Sequence, residues 1–297
     1  MDSISSIRSS ELNIHEKDKR CAPGINFDSI SCINLSLLVD LADAYNNNAS
    51  SGDKIKLHSK LETLNPPKYK KYLVKEMKSR IGDKCTTQKC WTEQSFVNKL
   101  NKKVKAELQK YTFRPEGPNG KFEWLNTFNI DDVMTQYEIK HNDFKYLKTV
   151  PMDFDELPRL NLSKIDYTEH YKNGKTKFGV VFNLDESWKS GSHWVAMYAD
   201  MKRGDVVYFD SYGIAPDKRV RKLMRKFATD IQKVNPNVKI RSDHNRLRHQ
   251  YENSECGVYS MNFIIRMLRG DGFDNICKSK ISDSDINKCR KQYFSNT

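Results

Sequence analysis

Arg248–Leu268 reads RHQYENSECGVYSMNFIIRML. Its second half repeats Tyr259, Phe263, Ile264, Met267 and Leu268 at three- and four-residue spacing, which predicts a helix with one buried face. Cys256 and Gly257 open that helix. A thiol there meets the positive end of the helix dipole and the unpaired N–H groups of the first turn, which favour thiolate. The adjacent glycine leaves room for another backbone, such as a substrate's, to approach. Gln250, six residues before the cysteine, offers an amide donor near the sulfur, so a nucleophile and an oxyanion donor share one short stretch. Taken alone the pattern is weak, because most cysteines at helix starts are small core residues.

Two upstream runs supply partners. In GSHWVAMYAD, His193 opens an apolar run, and in DVVYFDSYG, Asp210 closes another. Trp194–Tyr198 and Val206–Phe209 are rich in β-branched and aromatic residues, and KRGD (202–205) between them is turn-like, which predicts neighbouring strands. His193 and Asp210 then sit on facing strand ends. A carboxylate there can hold the imidazole tautomer while the imidazole takes the thiol proton. A lone strand-end histidine or turn-capping aspartate has a blander reading; His, Asp, Gln and Cys together in this order do not.

His-Trp, then Asp-Ser, then Gln-x5-Cys-Gly resembles the SUMO/ubiquitin-like and adenoviral cysteine proteases. The resemblance runs from about Trp124 to the C-terminus and implies an α+β fold, a central mixed β-sheet flanked by helices. It also implies roles: His193 as general base, Asp210 as orienting acid, Gln250 as oxyanion donor and Cys256 as nucleophile. WLNTFNIDDVMTQY (124–137) is similar to the family's opening motif, in which Trp-Leu-Asn precedes a helix. The viral polyprotein-processing branch is similar at Thr127–Asp132, Met152–Phe154 and Glu255–Gly257, and also in its Cys-x4-Cys pair, here Cys85 and Cys90. At Asp210, where that branch has asparagine, and at Trp124, the chain looks more like the cellular branch. In the family the two tryptophans clamp a Gly-Gly before the scissile bond, which implies that Trp124 and Trp194 bind substrate. No cofactor and no metal site is expected from the sequence.

Over its 297 residues the chain is 37% hydrophobic and 11% aromatic, enough for a real core. No segment approaches the roughly 18 apolar residues of a membrane span, and the opening MDSISSIRSSELN has no signal-peptide apolar block. Seven cysteines, an odd and scattered count, predict a reducing intracellular compartment. Net charge of +13 favours acidic partners or nucleic acid without bearing on fold. Residues 1–30 are polar and aperiodic and read as a loosely held arm. Helices are predicted from Ser31 (Leu35, Leu38, Val39, Ala42), from Pro66-Pro67 (Tyr69, Tyr72, Leu73, Met77), and after an N-cap at Thr92 (Val97, Leu100, Val104, Leu108). Such a three-helix unit has a marginal core of its own, so two arrangements are open: an arm packed against the catalytic part that helps hold substrate, or a separate helical domain on a flexible Arg114–Gly120 tether. Cys85 and Cys90 could be half a zinc site, but no second ligand pair is near, and two structural thiols are expected.

RPEGPNG (114–120) reads as a linker, dividing a Lys-rich helical arm (residues 1–121) from a protease domain (residues 122–297). In the latter, a helix capped by Asn129 buries Ile130, Val133, Met134 and Tyr137. Strands are predicted at Phe178–Phe182, Trp194–Tyr198, Val206–Phe209 and Val238–Arg241. A basic helix spans Lys218–Val234, and a last one runs from Ser282 through Ile286, Cys289 and Tyr293. Arg219, Arg221, Lys222, Arg225 and Lys226 read as a solvated face, with at most weak nucleic-acid contact.

The expected activity is that of a cysteine endopeptidase cutting after Gly-Gly in viral structural polyproteins during particle maturation, in the virion and host cytoplasm. A SUMO- or ubiquitin-like-modifier isopeptidase is the nearer alternative. A catalytically idle binder of ubiquitin-like tails and a nucleic-acid-binding protein are the more distant ones; no zinc-finger spacing, aromatic RNA-binding signature or phosphate loop supports the last.

Overall fold

A computed structural model describes Leu12 and residues 14–120 and 122–296. Two compact units divide at Pro115/Glu116, within the RPEGPNG stretch.

In the first unit the apolar stripes form helices α1 (Leu35–Asn46), α2 (Ser59–Leu64), α3 (Pro66–Ile81), α4 (Gln88–Thr92) and α5 (Lys102–Ala106). Asn34 and Asn65 cap α1 and α3, and prolines fill the first positions of α3, where no N–H is needed. Leu38, Leu41, Leu73, Met77, Trp91, Val97 and Leu108 pack into a core that belongs to this unit, fuller than the marginal one expected. The third helix differs from its prediction. Thr92 ends α4 and Thr87 is the cap; Ser95–Lys99 is a 3-10 turn, Asn101 restarts the helix as α5, and Glu107–Tyr111 is a π-turn. Side chains of Thr and Asn that bond nearby N–H groups compete with helix continuation, and the apolar spacing alone does not register that competition. Arg20 and Arg114 pair through their backbones and Asp18 is buried, so from Ile14 onward the reading of a loose arm is corrected; residues 1–11 and 13 lie outside the described part.

Cysteine pairing is a further correction. Cys21–Cys32 and Cys85–Cys90 are disulfides, with Cα–Cα distances of 5.3 and 5.6 Å, inside the bridging range. The two thiols expected at Cys85 and Cys90 are therefore one cross-link, and reduced thiols remain at Cys256, Cys277 and Cys289. Among the described residues no cluster of His, Cys, Asp and Glu is arranged to hold a metal ion.

The second unit is built on a five-stranded mixed sheet in sequential order: β1 (Phe144–Val150), β2 (Lys177–Asn183), β3 (Trp194–Asp200), β4 (Asp205–Phe209) and β5 (Arg241–His244). The outer pairs β1–β2 and β4–β5 are parallel and the inner ones antiparallel. Alternate residues feed two cores, as the period of two requires. Val181, Ala196, Tyr198, Val207 and Phe209 face α6 (Thr127–Lys140) and α9 (Cys256–Arg269), with α10 (Phe273–Lys278), α11 (Asp283–Lys288) and α12 (Arg290–Tyr293) beyond. Phe178, Val180, Phe182, Val195, Met197 and Tyr208 face α7 (Tyr167–Lys172) and α8 (Lys218–Val234). The central strands are thus buried on both faces.

Sequence reading missed β1. A register shift between Tyr146 and Thr149, with Lys148 at φ 79°, breaks its alternation. The last strand is Arg241–His244 rather than Val238–Arg241: a polar edge strand held by backbone pairing to β4. The cap of α6 is Asn126, not Asn129. Asn126 Oδ1 accepts the Asn129 N–H at 2.9 Å and Asn129 Oδ1 accepts the Asn126 N–H at 3.1 Å. The helix predicted from Ser282 breaks at Cys289 into α11 and α12. On α8, Arg219 pairs with Asp217 and Glu186, Lys222 with Asp155, and Lys226 and Lys233 with Asp230, which neutralises much of the basic cluster. No helix among the described residues is long and apolar enough to cross a membrane.

Candidate active site

His193 precedes β3, and its carbonyl accepts the Leu184 N–H at 2.9 Å, which continues the β2–β3 ladder to the strand end. Asp210 follows β4 on the neighbouring strand. The two meet there: His193 Nε2 and Asp210 Oδ1 lie 2.7 Å apart, both buried. Asp210 Oδ1 also accepts the Tyr212 N–H at 2.8 Å, so the carboxylate is aimed from two sides. With Nε2 bonded to Asp210, the other ring nitrogen is the one available to Cys256, whose side chain interacts electrostatically with the imidazole. Burial opposes charge on His193, but the interactions with Asp210 and Cys256 outweigh it and raise the imidazole to about 9. The Tyr212 ring stacks on the imidazole, centroids 4.4 Å apart and planes within 9°, and fixes its plane from one face.

Asn245, which sequence reading missed, braces Asp210 by its backbone. Its Oδ1 accepts the Asp210 N–H at 2.9 Å and its Nδ2 donates to the Asp210 carbonyl at 2.7 Å, so the amide stands in for the next residue of β5. No motif spacing marks an asparagine in that role.

Gln250 is fully buried. Ser211 Oγ donates to its Oε1 at 2.6 Å, and its Nε2 donates to the Glu252 carbonyl at 2.8 Å. An amide nitrogen carries two hydrogens, so one donor stays uncommitted. The Ser211 carbonyl also accepts the N–H groups of His249 and Gln250. Serine beside Asp210 therefore ties the two motifs together, a role its place in the Asp-Ser pair alone did not specify.

Cys256 begins α9 and is 3% exposed. The reading of Gly257 needs correction. A Cβ there would lie 3.1 Å from Leu125 Cβ and 3.3 Å from Trp194 Cδ1, so the space is taken by the protein's own side chains rather than left for substrate. Trp194 Nε1 in turn donates to the Leu125 carbonyl at 2.8 Å.

Trp124 and Trp194 line one cleft of about 410 Å³ with Asn126, Thr127, Asn183 at the end of β2 and the β2–β3 loop residues Asp185, Glu186 and Gly191. Trp194 is buried and Trp124 half-exposed. A second cleft of about 590 Å³ lies along Phe122, Trp124, Ser254, Glu255 and Asn287, so Trp124 is a wall common to both. The β2–β3 loop carried no signal in the sequence beyond its turn composition.

A thiol interacting with an imidazole that is itself bonded to a carboxylate is an arrangement able to generate a thiolate nucleophile. Iodoacetamide near neutral pH is accordingly expected to label Cys256 before the other free thiols. Burial raises Cys277 to about 11 and lifts Cys289 above its ordinary value. Peptide mapping after brief exposure of the native protein checks this; faster labelling of Cys277 or Cys289 removes Cys256 as the nucleophile.

Residues 180–297 match the Ulp1 protease family, C-terminal catalytic domain. A protein of Acanthamoeba polyphaga mimivirus named as a thiol protease is 38% identical over 274 residues, covering 90% of this chain and 89% of its own. The SUMO-1 cysteine protease of African swine fever virus is 29% identical over 247 residues, 75% of this chain and 89% of its own. The crystal structure of the African swine fever virus protease superposes with a TM-score of 0.63 at 22% identity, covering 95% of this chain and 97% of that one. The mimivirus match is too long to be confined to residues 124–297, so the relationship extends into the N-terminal unit, beyond the limit drawn from the motifs.

Proposed function

The chain belongs to the Ulp1 protease family and is a cysteine protease, and we propose that it cleaves after Gly-Gly in viral structural polyproteins. The observation that carries the reading is the buried 2.7 Å link between Asp210 and His193, an imidazole that also interacts electrostatically with Cys256. His193 takes the Cys256 proton, and the sulfur attacks the scissile carbonyl. Gln250 Nε2 and the Cys256 N–H receive the oxyanion. The imidazolium then gives its proton to the leaving amine as the C–N bond breaks, leaving a thioester. Water, deprotonated by His193, attacks the thioester and releases the acid, and the proton returns to sulfur.

Trp124 and Trp194 would flank the two residues before the bond. Glycine has no Cβ and passes where other residues meet an indole face. Both named relatives are viral proteases, which supports a viral setting; within it the reading is a role in particle maturation, at assembly sites in host cytoplasm and in the virion. The name of the African swine fever virus relative, a SUMO-1 cysteine protease, favours a second reading, removal of a SUMO-like modifier through an isopeptide bond.

A direct comparison separates the two. The full chain is incubated with a Gly-Gly-Xaa polypeptide and with a SUMO–lysine conjugate, and product termini are mapped by mass. The polyprotein reading expects the peptide bond after Gly-Gly to be cut at least about tenfold faster, a difference of roughly 1.4 kcal/mol. Faster release of the modifier would establish the isopeptidase instead, and cutting of neither would refute both.

A further inference from the structure

The C-terminal helices hold a buried cation that the proposed chemistry does not use. Arg290 is 2% exposed. Its Nη2 donates to the Glu123 carbonyl at 2.8 Å and to the Ser254 carbonyl at 3.0 Å. Its Nε donates to Asn287 Oδ1 at 2.9 Å, and Asn287 Nδ2 donates to Glu255 Oε1 at 2.6 Å. Glu255 is fully buried and also accepts from the N–H and hydroxyl of Ser254. Burial pulls the guanidinium below its ordinary value, while the charges of Glu255, Cys256 and Glu123 hold it up.

The two carbonyls belong to the segments that matter most. Glu123 precedes Trp124, and Ser254 lies two residues before Cys256. On the far side of Trp124, the Leu125 carbonyl is held by Trp194 Nε1 at 2.8 Å. The backbone of Trp124 is thus fixed at both neighbours, by Arg290 on one side and Trp194 on the other, while its side chain stays half-exposed. We infer that Arg290 is a positioning residue that sets the distance between the Trp124 wall and the Cys256 sulfur, and so ties glycine selection to the geometry of attack. A planar guanidinium can serve three acceptors at fixed angles; a lysine ammonium on a flexible stem cannot hold the same set. A displacement of about 1 Å between a substrate wall and a nucleophile is enough to cost on the order of a hundredfold in rate. The inference rests on the Gly-Gly reading for its substrate, but its structural half stands apart from it.

Arg290→Lys and Arg290→Gln in the full chain test it, with rates normalised to the titrated Cys256 thiol so that misfolded protein does not count. Both are expected to raise KM for a Gly-Gly peptide, lower kcat/KM at least about tenfold and narrow the preference over Gly-Ala, with lysine the milder. The second arm needs no substrate. In a Trp188→Phe background Trp124 is the one remaining exposed indole, since Trp91 and Trp194 are buried. Acrylamide quenching of that indole should then increase in both Arg290 variants below their melting temperatures. A wild-type enzyme indifferent to Gly-Gly sinks the substrate reading alone, leaving the quenching arm to decide on Arg290. Unchanged quenching and unchanged KM, with only a lower melting temperature, would make Arg290 a structural brace and overturn the inference.

Discussion

His193→Ala in the full chain is expected to lower kcat/KM on a Gly-Gly peptide by roughly 10³–10⁴-fold, at the upper end of what one acid–base group supplies. The loss has two parts, because the same ring takes the thiol proton and later protonates the leaving amine. Cys256→Ala should match or exceed it, and the double variant should be no worse than Cys256→Ala, since residues acting as one unit are not additive. Asp210 shows up in the pH profile. His193 is raised to about 9 because its interactions with Asp210 and Cys256 outweigh burial. A raised folded value means that the imidazolium is stabilised; the contribution is complete below about 6.5, the ordinary histidine value, and is lost as pH rises through about 9. Activity should therefore fall on the alkaline side near pH 9, as the acid for the leaving amine disappears. Asp210→Asn keeps an acceptor but no charge, so partial activity should remain with the alkaline limb moved to lower pH. A fully active Asp210→Ala enzyme with an unmoved limb would show that another group orients the ring.

How much of this was legible depended on whether the signal was local. The amphipathic helix Lys218–Val234 and the helix after Cys256 follow from apolar spacing, and both lie where the spacing puts them. β3 and β4 were legible because strands buried on both faces must be nearly continuous in apolar residues. What escaped was specified by long-range hydrogen bonds. β5 is four residues of RSDH whose pairing is supplied by β4, and β1 loses its alternation at Lys148. In the candidate site, His193, Asp210, Gln250 and Cys256 were visible from residue type and order, and the His193–Asp210 contact follows from neighbouring strands. Asn245, Ser211, Tyr212 and Arg290 act through the backbone, through stacking or through another side chain. Their chemistry is generic in sequence and becomes specific only with their neighbours in place. Gly257 shows the same limit: glycine signalled a close approach, but not that the approaching atoms belong to Leu125 and Trp194.

Replacing the glycine just before the cleaved bond by alanine in a peptide substrate is expected to lower kcat/KM at least about a hundredfold, or roughly 2.7 kcal/mol of transition-state stabilisation. The cause is steric. One methyl group has little hydrophobic value to gain in the cleft, and between two indole faces it must push a wall outward or move the carbonyl off the line from the sulfur to the Gln250 amide. Because that misalignment matters most in the transition state, kcat should fall as well as KM rise. Of the two walls, Trp124 gives the cleaner variant. It is 51% exposed, so Trp124→Ala removes the wall with little damage to the core. Trp194 is 6% exposed, bonds the Leu125 carbonyl and packs on Gly257, so its truncation would empty the space beside the nucleophile at a cost of about 3–5 kcal/mol. Trp124→Ala should therefore slow cleavage of the Gly-Gly peptide while leaving the Gly-Ala peptide nearly unaffected, shrinking the hundredfold ratio towards unity without moving the melting temperature. Steady-state kinetics on the two peptides with both enzymes check this in one set of measurements. Equal rates on the two peptides with the wild-type enzyme would refute the tryptophan clamp, and a ratio that survives in Trp124→Ala would assign the selection to Trp194 and the β2–β3 loop instead.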